Sequence, residues 1–121
     1  MRDTAIGRFE GFDLSTKASE LWFDLGLYET VSVEVIADTT LTATMEVVYG
    51  NAPRRGKSFS TPKTLTVANT ISDYIDFGST GTRWMGVKVT TAGAAGEKCA
   101  VFVHASSSFG TGQQGSVRFT L

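Results

Sequence analysis

Residues 30–50 read TVSVEVIADTTLTATMEVVYG, and the spacing of their apolar side chains decides the fold. Val31, Val33 and Val35 recur at every second position, with Ser32 and Glu34 between them. After Ala37-Asp38-Thr39, a turn signal, the same period returns: Leu41, Ala43, Met45, Val47 and Tyr49 alternate with Thr42, Thr44, Glu46 and Val48. A period of two sends neighbouring side chains to opposite faces of an extended chain, so each run predicts a β-strand with one face in a core. The pattern repeats on both sides of this stretch. In ELWFDL (20–25), Leu21, Phe23 and Leu25 oppose Glu20, Trp22 and Asp24. In RWMGVKV (83–89), Met85, Val87 and Val89 oppose Trp84, Gly86 and Lys88, and in SVRFTL (116–121) Val117, Phe119 and Leu121 are expected inward with Arg118 outward.

Less regular strand patterns lie in AIGRFEGF (5–12), KTLTV (63–67), TISDYIDF (70–77) and KCAVFVHA (98–105), separated by turn signals at 50–53, 78–81 and 93–96. Eight or nine short strands with frequent turns predict an all-β, antiparallel β-sandwich; a jelly roll is one topology open to it, and a barrel is the less favoured alternative. At 121 residues and 12.9 kDa the chain is expected to be one domain, 1–121, with residues 1–12 as an extended arm. SSSFGTGQQGS (106–116) reads as a polar loop before the last strand.

Composition removes several function classes. Hydrophobic content of 41% with 19% charged residues describes a folded chain rather than a disordered one. A net charge of -1 argues against general nucleic-acid binding, and no run approaches the ~18 apolar residues that a membrane span needs. The first residues, MRDTAIGRFEG, lack the apolar centre of a signal peptide, so synthesis and folding in a cytoplasm are expected. Cys99 is the sole cysteine, which rules out an internal disulfide and reads as an inert core thiol. Charge is split along the chain: residues 1–50 carry nine acidic side chains against Arg2, Arg8 and Lys17, whereas residues 51–121 carry Asp73, Asp76 and Glu97 against eight basic ones. Such halves can pair within a sheet or make complementary surfaces between subunits.

Catalytic signatures do not assemble. The glycines of VTTAGAAGEKCAVFVH (89–104) suggest a phosphate loop, but Glu97 separates Gly96 from Lys98 and a strand pattern follows where a helix is required. The stretch therefore reads as a hairpin turn. His104 is the only histidine; Ser106, Ser107 and Ser108 with Asp73 or Asp76 lack a nucleophile elbow, and one histidine with carboxylates makes a poor zinc site. Asp73 and Asp76, three apart on a strand, fall on opposite faces and cannot act as a pair. No enzyme activity, cofactor or metal is expected.

Interaction residues are more informative. Trp22 shares its strand face with Glu20 and Asp24, Trp84 with Lys88 and Thr90, and Phe102 lies beside His104 opposite Val101 and Val103. An indole withdraws roughly 150–250 Å² from water, about 4–6 kcal/mol at roughly 25 cal/mol per Å², so rings on a polar face call for a cover. The cover can be another part of the chain, a neighbouring subunit, or a sugar stacked on Trp22, Trp84 or Tyr74. PRRGKSFSTPK (53–63) concentrates Arg54, Arg55, Lys57 and Lys63 with Phe59 as its one aromatic, which suits a solvated loop or an acidic protein surface better than a single-strand nucleic-acid binder.

The stretch GTRWMGVKVTTAGAAGEKCAVFVHA (81–105), together with the chain's size, resembles in style the small β-sandwich virion proteins of tailed bacteriophages, the capsid decoration (cement) and head–tail accessory types. The resemblance implies a non-enzymatic structural protein of the virion, a homotrimer docked on a major capsid protein or another virion component. Trp22, Trp84, Phe102, Arg54, Arg55 and Lys57 are then the expected interface residues. A carbohydrate-binding module, or a tail or receptor-binding β-domain, is the alternative.

Overall fold

The structure, a computed structural model, describes residues 3–26, 28, 30–37, 42–54, 57–58, 64–66, 72–78, 83–107 and 110–121. Among these there are strands and no helix. One sheet contains β1 (Thr4–Asp13), β3 (Thr30–Ile36), β7 (Ser72–Gly78), β9 (Lys98–Ser106) and β10 (Gln114–Ser116), in the order β10-β1-β9-β3-β7. The other contains β2 (Glu20–Asp24), β4 (Thr44–Gly50), β5 (Lys57–Ser58), β6 (Thr64–Thr66), β8 (Trp84–Thr91) and β11 (Arg118–Thr120), in the order β11-β2-β8-β4-β5, with β6 also on β4. Nine of the eleven strands match runs read from the sequence, and the short β5 and β10 account for the excess.

The alternating runs do what their period requires. Val31, Val33 and Val35 from β3 and Val101, Val103 and Ala105 from β9 meet Leu21, Phe23, Met45, Val47, Met85, Val87 and Val89 from the opposite sheet in one apolar cluster. All are buried. Two inner faces packed this way make a β-sandwich, and the contacts join residues far apart in sequence, such as β1 with β9.

Three expectations about connections are corrected. Residues 4–12 are not an arm: β1 is an interior strand, antiparallel to β9 from Thr4↔Ser106 to Asp13↔Lys98. A register shift between Phe9 and Phe12 inserts the extra residue that keeps Phe12 in the core, and it makes the AIGRFEGF strand pattern irregular. The glycine turn at 93–96 does not close a hairpin, because β8 and β9 belong to different sheets. It arches across the edge of the sandwich, with Gly93 N donating to Leu14 O and Leu14 N to Glu97 O. Finally, the last run is two strands, not one. β10 lies parallel to β1 (Thr4↔Gln114), the one parallel pairing among the described strands, and β11 antiparallel to β2. Buried Val117 sits between them, donating its N–H to Ile6 O, so this segment spans from one sheet to the other. Gly7 makes room for it: a Cβ there would stand 2.6 Å from Phe119 Cε2 and 2.8 Å from Val117 Cβ. Leu121, expected inward, is 55% exposed because the pairing ends at Thr120.

Asp24 ties the end of β2 to the start of β8. Its Oδ1 accepts from Arg83 Nε at 2.9 Å and its Oδ2 from Arg83 Nη2 at 2.8 Å, with Arg118 Nη2 at 3.8 Å. The Arg83 hydrogen bond holds the Asp24 carboxyl below the ordinary carboxylate range, against the opposing effect of partial burial. A group with a lowered folded pKa stabilises the fold above its unfolded value, near 4, and loses that contribution as pH falls through the lowered one. Stability of the wild type is therefore expected to drop on acidification below about pH 4, and Asp24→Asn to remove part of that slope, as urea midpoints measured across acid pH will show.

Candidate interaction surfaces

The outer face of the β2–β8–β4 sheet carries Trp22, Gly86 and Val48 in one cross-strand row, by the registers Trp22↔Gly86 and Val48↔Gly86. Alternation places Trp22 on this face as expected, but the face is not wet: Trp22 is 0% and Val48 3% exposed. Of the covers that the sequence allows, the chain's own is the one present. The indole lies over Gly86, whose added Cβ would be 3.0 Å from Trp22 Cδ2. Arg54, expected to reach for an acidic partner, instead donates from Nη2 to the main-chain oxygen of Leu121. Arg54 leaves the end of β4 and Leu121 follows β11, and β8 and β2 lie between those strands. Strands are about 4.8 Å apart, so the contact joins segments that extend from strands roughly 14 Å apart in the sheet.

Trp84 is only partly buried and takes the Arg83 guanidinium at 6.0 Å from its ring centroid. Lys57 is exposed in β5. Arg55 and Lys63 lie outside the described residues, as do Phe59, Ser108 and the turn signals at 38–39 and 79–81; Tyr74, Asp73 and Asp76 are described by their backbone alone. That backbone pairs Asp73 with Val35 and Asp76 with Ser32, positions of opposite faces.

The outer face of the other sheet is the more open one. Register aligns Arg8, Phe102 and Glu34 in one row and Ile6, His104 and Ser32 in the next. Phe102 is half-buried, with the Arg8 guanidinium 5.2 Å from its ring centroid and Arg8 itself paired to Glu10. Ile6 is 48% exposed and His104 is exposed. Beside this row a groove of about 360 Å³ is floored by Ala100, Ile36 and Phe102 and edged by Arg8, Glu10 and Lys98. Phe102 was legible in the sequence as an outward ring. Ile6 and Arg8 were not singled out, because the irregular strand pattern at 5–12 did not assign them a face and residues 1–12 were also expected as an arm.

Ser106 and Glu97 both make side-chain hydrogen bonds within the fold. Ser106 is buried with its Oγ 2.6 Å from Thr30 Oγ1, and Glu97 accepts the Thr42 N–H at 2.7 Å. Burial pushes the Cys99 thiol up to about 12, which keeps it un-ionised and unreactive at neutral pH. Among the described residues no three His, Cys, Asp or Glu side chains come together as a metal site. Compared with protein-family models and with curated proteins, the chain matches none.

Proposed function

We propose that this chain is a non-enzymatic structural protein of a phage virion, a decoration subunit that self-associates, as a trimer, and adds buried surface to the particle it coats. The observation that carries the reading is strand order. With β6 taken beside β4, the four strands β1-β9-β3-β7 face β2-β8-β4-β6, and among these eight the chain crosses between sheets at every step except β4 to β6. That order supports a jelly roll, an architecture of viral capsid and lectin domains. The surface proposed for self-association is the open face bearing Ile6, Arg8 and Phe102, in place of the Trp22 face that the chain itself covers.

A stable association needs about 800 Å² per partner, a modest part of the 6611 Å² that the chain exposes. Light scattering on the wild type is expected to give a multiple of 12.9 kDa. Phe102→Asp is expected to return the monomer while leaving the thermal midpoint within a few degrees. A monomeric wild type at tens of micromolar, or an oligomer indifferent to Phe102→Asp, defeats the reading. The groove beside Phe102 favours one second reading, a carbohydrate-binding module; a monomer whose Phe102 and Arg8 resonances shift on titration with a glycan would decide for it.

A further inference from the structure

We propose that the sandwich edge beside residues 8–13 docks an extended segment of another protein, which adds as a strand to β1 and seats an apolar side chain, flanked by basic ones, between the two sheets. This edge is distinct from the outer face, bearing Phe102, on which the virion reading rests.

The strand order leaves a place for such a segment. β10 covers β1 only from Thr4 to Ile6, and the chain then crosses to the other sheet at Val117. Thr4 N donates to Gln113 O and Ile6 O accepts from Val117 N, so the main-chain groups of these two residues point away from β9. Main-chain groups alternate sides along a strand, so those of Arg8 point the same way. Among the described residues no main-chain partner meets them. The facing sheet is short at the same end: β11 covers β2 from Trp22 to Asp24 and stops before Glu20. A free edge recruits an extended chain through main-chain hydrogen bonds, and pockets beside it select side chains.

Such a pocket is present. A cleft of about 280 Å³ is lined by Phe9, Phe12 and Leu121, with Asp13 and Glu20. Ala5, Gly7 and Phe9 form the inward set of β1, yet only Phe9 of the three stays partly exposed. Leu121 is 55% exposed, and a Cβ on Gly11 would meet no atom within 4 Å, so the cleft is open to an incoming side chain. Charge selects the occupant. Asp13 and Glu20, the charged residues of the lining, are both acidic, and neither makes an ion pair among the described residues. Hydrogen bonds from the Ser15 hydroxyl and N–H hold the Asp13 carboxyl below the ordinary carboxylate range, so it is ionised at neutral pH. Basic residues beside the apolar one complement both carboxylates, and acidic residues are repelled.

The probe is the blocked peptide Lys-Val-Leu-Val-Lys, titrated into the full chain and followed by NMR. It is expected to shift the Arg8 amide and Phe9 ring resonances and to slow exchange of the Arg8 N–H about tenfold at saturation. The Glu-Val-Leu-Val-Glu analogue, and the probe N-methylated at both valines, are each expected to bind about tenfold more weakly. Arg8→Pro, which deletes the edge N–H where no ladder bond is lost, is expected to abolish binding. Leu121→Lys, beyond the last paired residue, is expected to weaken binding about tenfold without touching the fold. Shifts at Phe9 without protection of Arg8 would show a cleft for a small apolar ligand. Protection of Arg8 in the free chain that is lost on dilution would show a second copy already on the edge. Either result, equal binding of the glutamate analogue, or no saturable binding of the probe, overturns the proposal.

Discussion

Trp22→Ala is expected to lower the unfolding free energy by about 3–5 kcal/mol in urea titrations, the range for deleting a large buried aromatic. The side chain is fully enclosed and rests on Gly86. Its removal leaves a cavity against a sheet that cannot collapse, because the strands on either side are hydrogen-bonded along Leu21↔Val87 and Val48↔Gly86. Trp22→Phe is expected to cost much less than the alanine variant. It keeps most of the packing and removes the unpartnered indole N–H, whose burial costs roughly 1–3 kcal/mol. The two variants separate a core role from a docking role: a ring kept for a partner would be lost from the protomer with little effect. Loss of less than about 1 kcal/mol in Trp22→Ala would show that the ring contributes no packing to the isolated chain.

Gly86→Ala is the companion case, expected to cost about 2–3 kcal/mol, at the upper end for overpacking. The added Cβ would lie 2.6 Å from Leu21 O and 3.0 Å from Trp22 Cδ2. The first neighbour is backbone in the adjoining strand, so relief requires β2 and β8 to separate, which weakens the ladder from Glu20↔Lys88 to Asp24↔Trp84. The second is the indole, which is fully buried and has no open space to move into. Combining Trp22→Ala with Gly86→Ala is expected to fall short of additivity by about 1 kcal/mol, since the double variant removes one of the two clashes. Full additivity in thermal or urea unfolding would place the entire strain on the Leu21 carbonyl.

The strands that the sequence made legible are those whose partners lie on one wet and one dry side. Val31, Val33 and Val35, or Met85, Val87 and Val89, each face inward as the period of two requires. Alternation reports which side chains share a face; it does not report whether a distant segment lies on that face. Trp22 was placed on the correct side with three covers left open for this reason, and the fold buries it within its own chain. Turn chemistry has the same limit. A glycine turn such as 93–96 looks alike whether it joins neighbours in one sheet or arches between two, and the difference lies in which strands β8 and β9 pair with elsewhere. β1 was obscured by its own bulge, which shifts the apolar phase between Phe9 and Phe12. With it went Ile6 and Arg8, and so most of the open face now proposed for association.

The placement of β1 between β9 and β10 also sets an order on biosynthesis. A ribosome makes this strand before the others of the sandwich, yet the residues that flank it on either side, 98–106 and 114–116, are made after most of those other strands. Until then Phe9 and Phe12 have no ladder to join, and the nascent polypeptide carries an unpaired, sticky strand while the strands between β1 and β9 are made. The fold can close only in a late, long-range step, so slow codons or a stall shortly before residue 98 would prolong the interval in which a chaperone, or another nascent chain, competes for that strand.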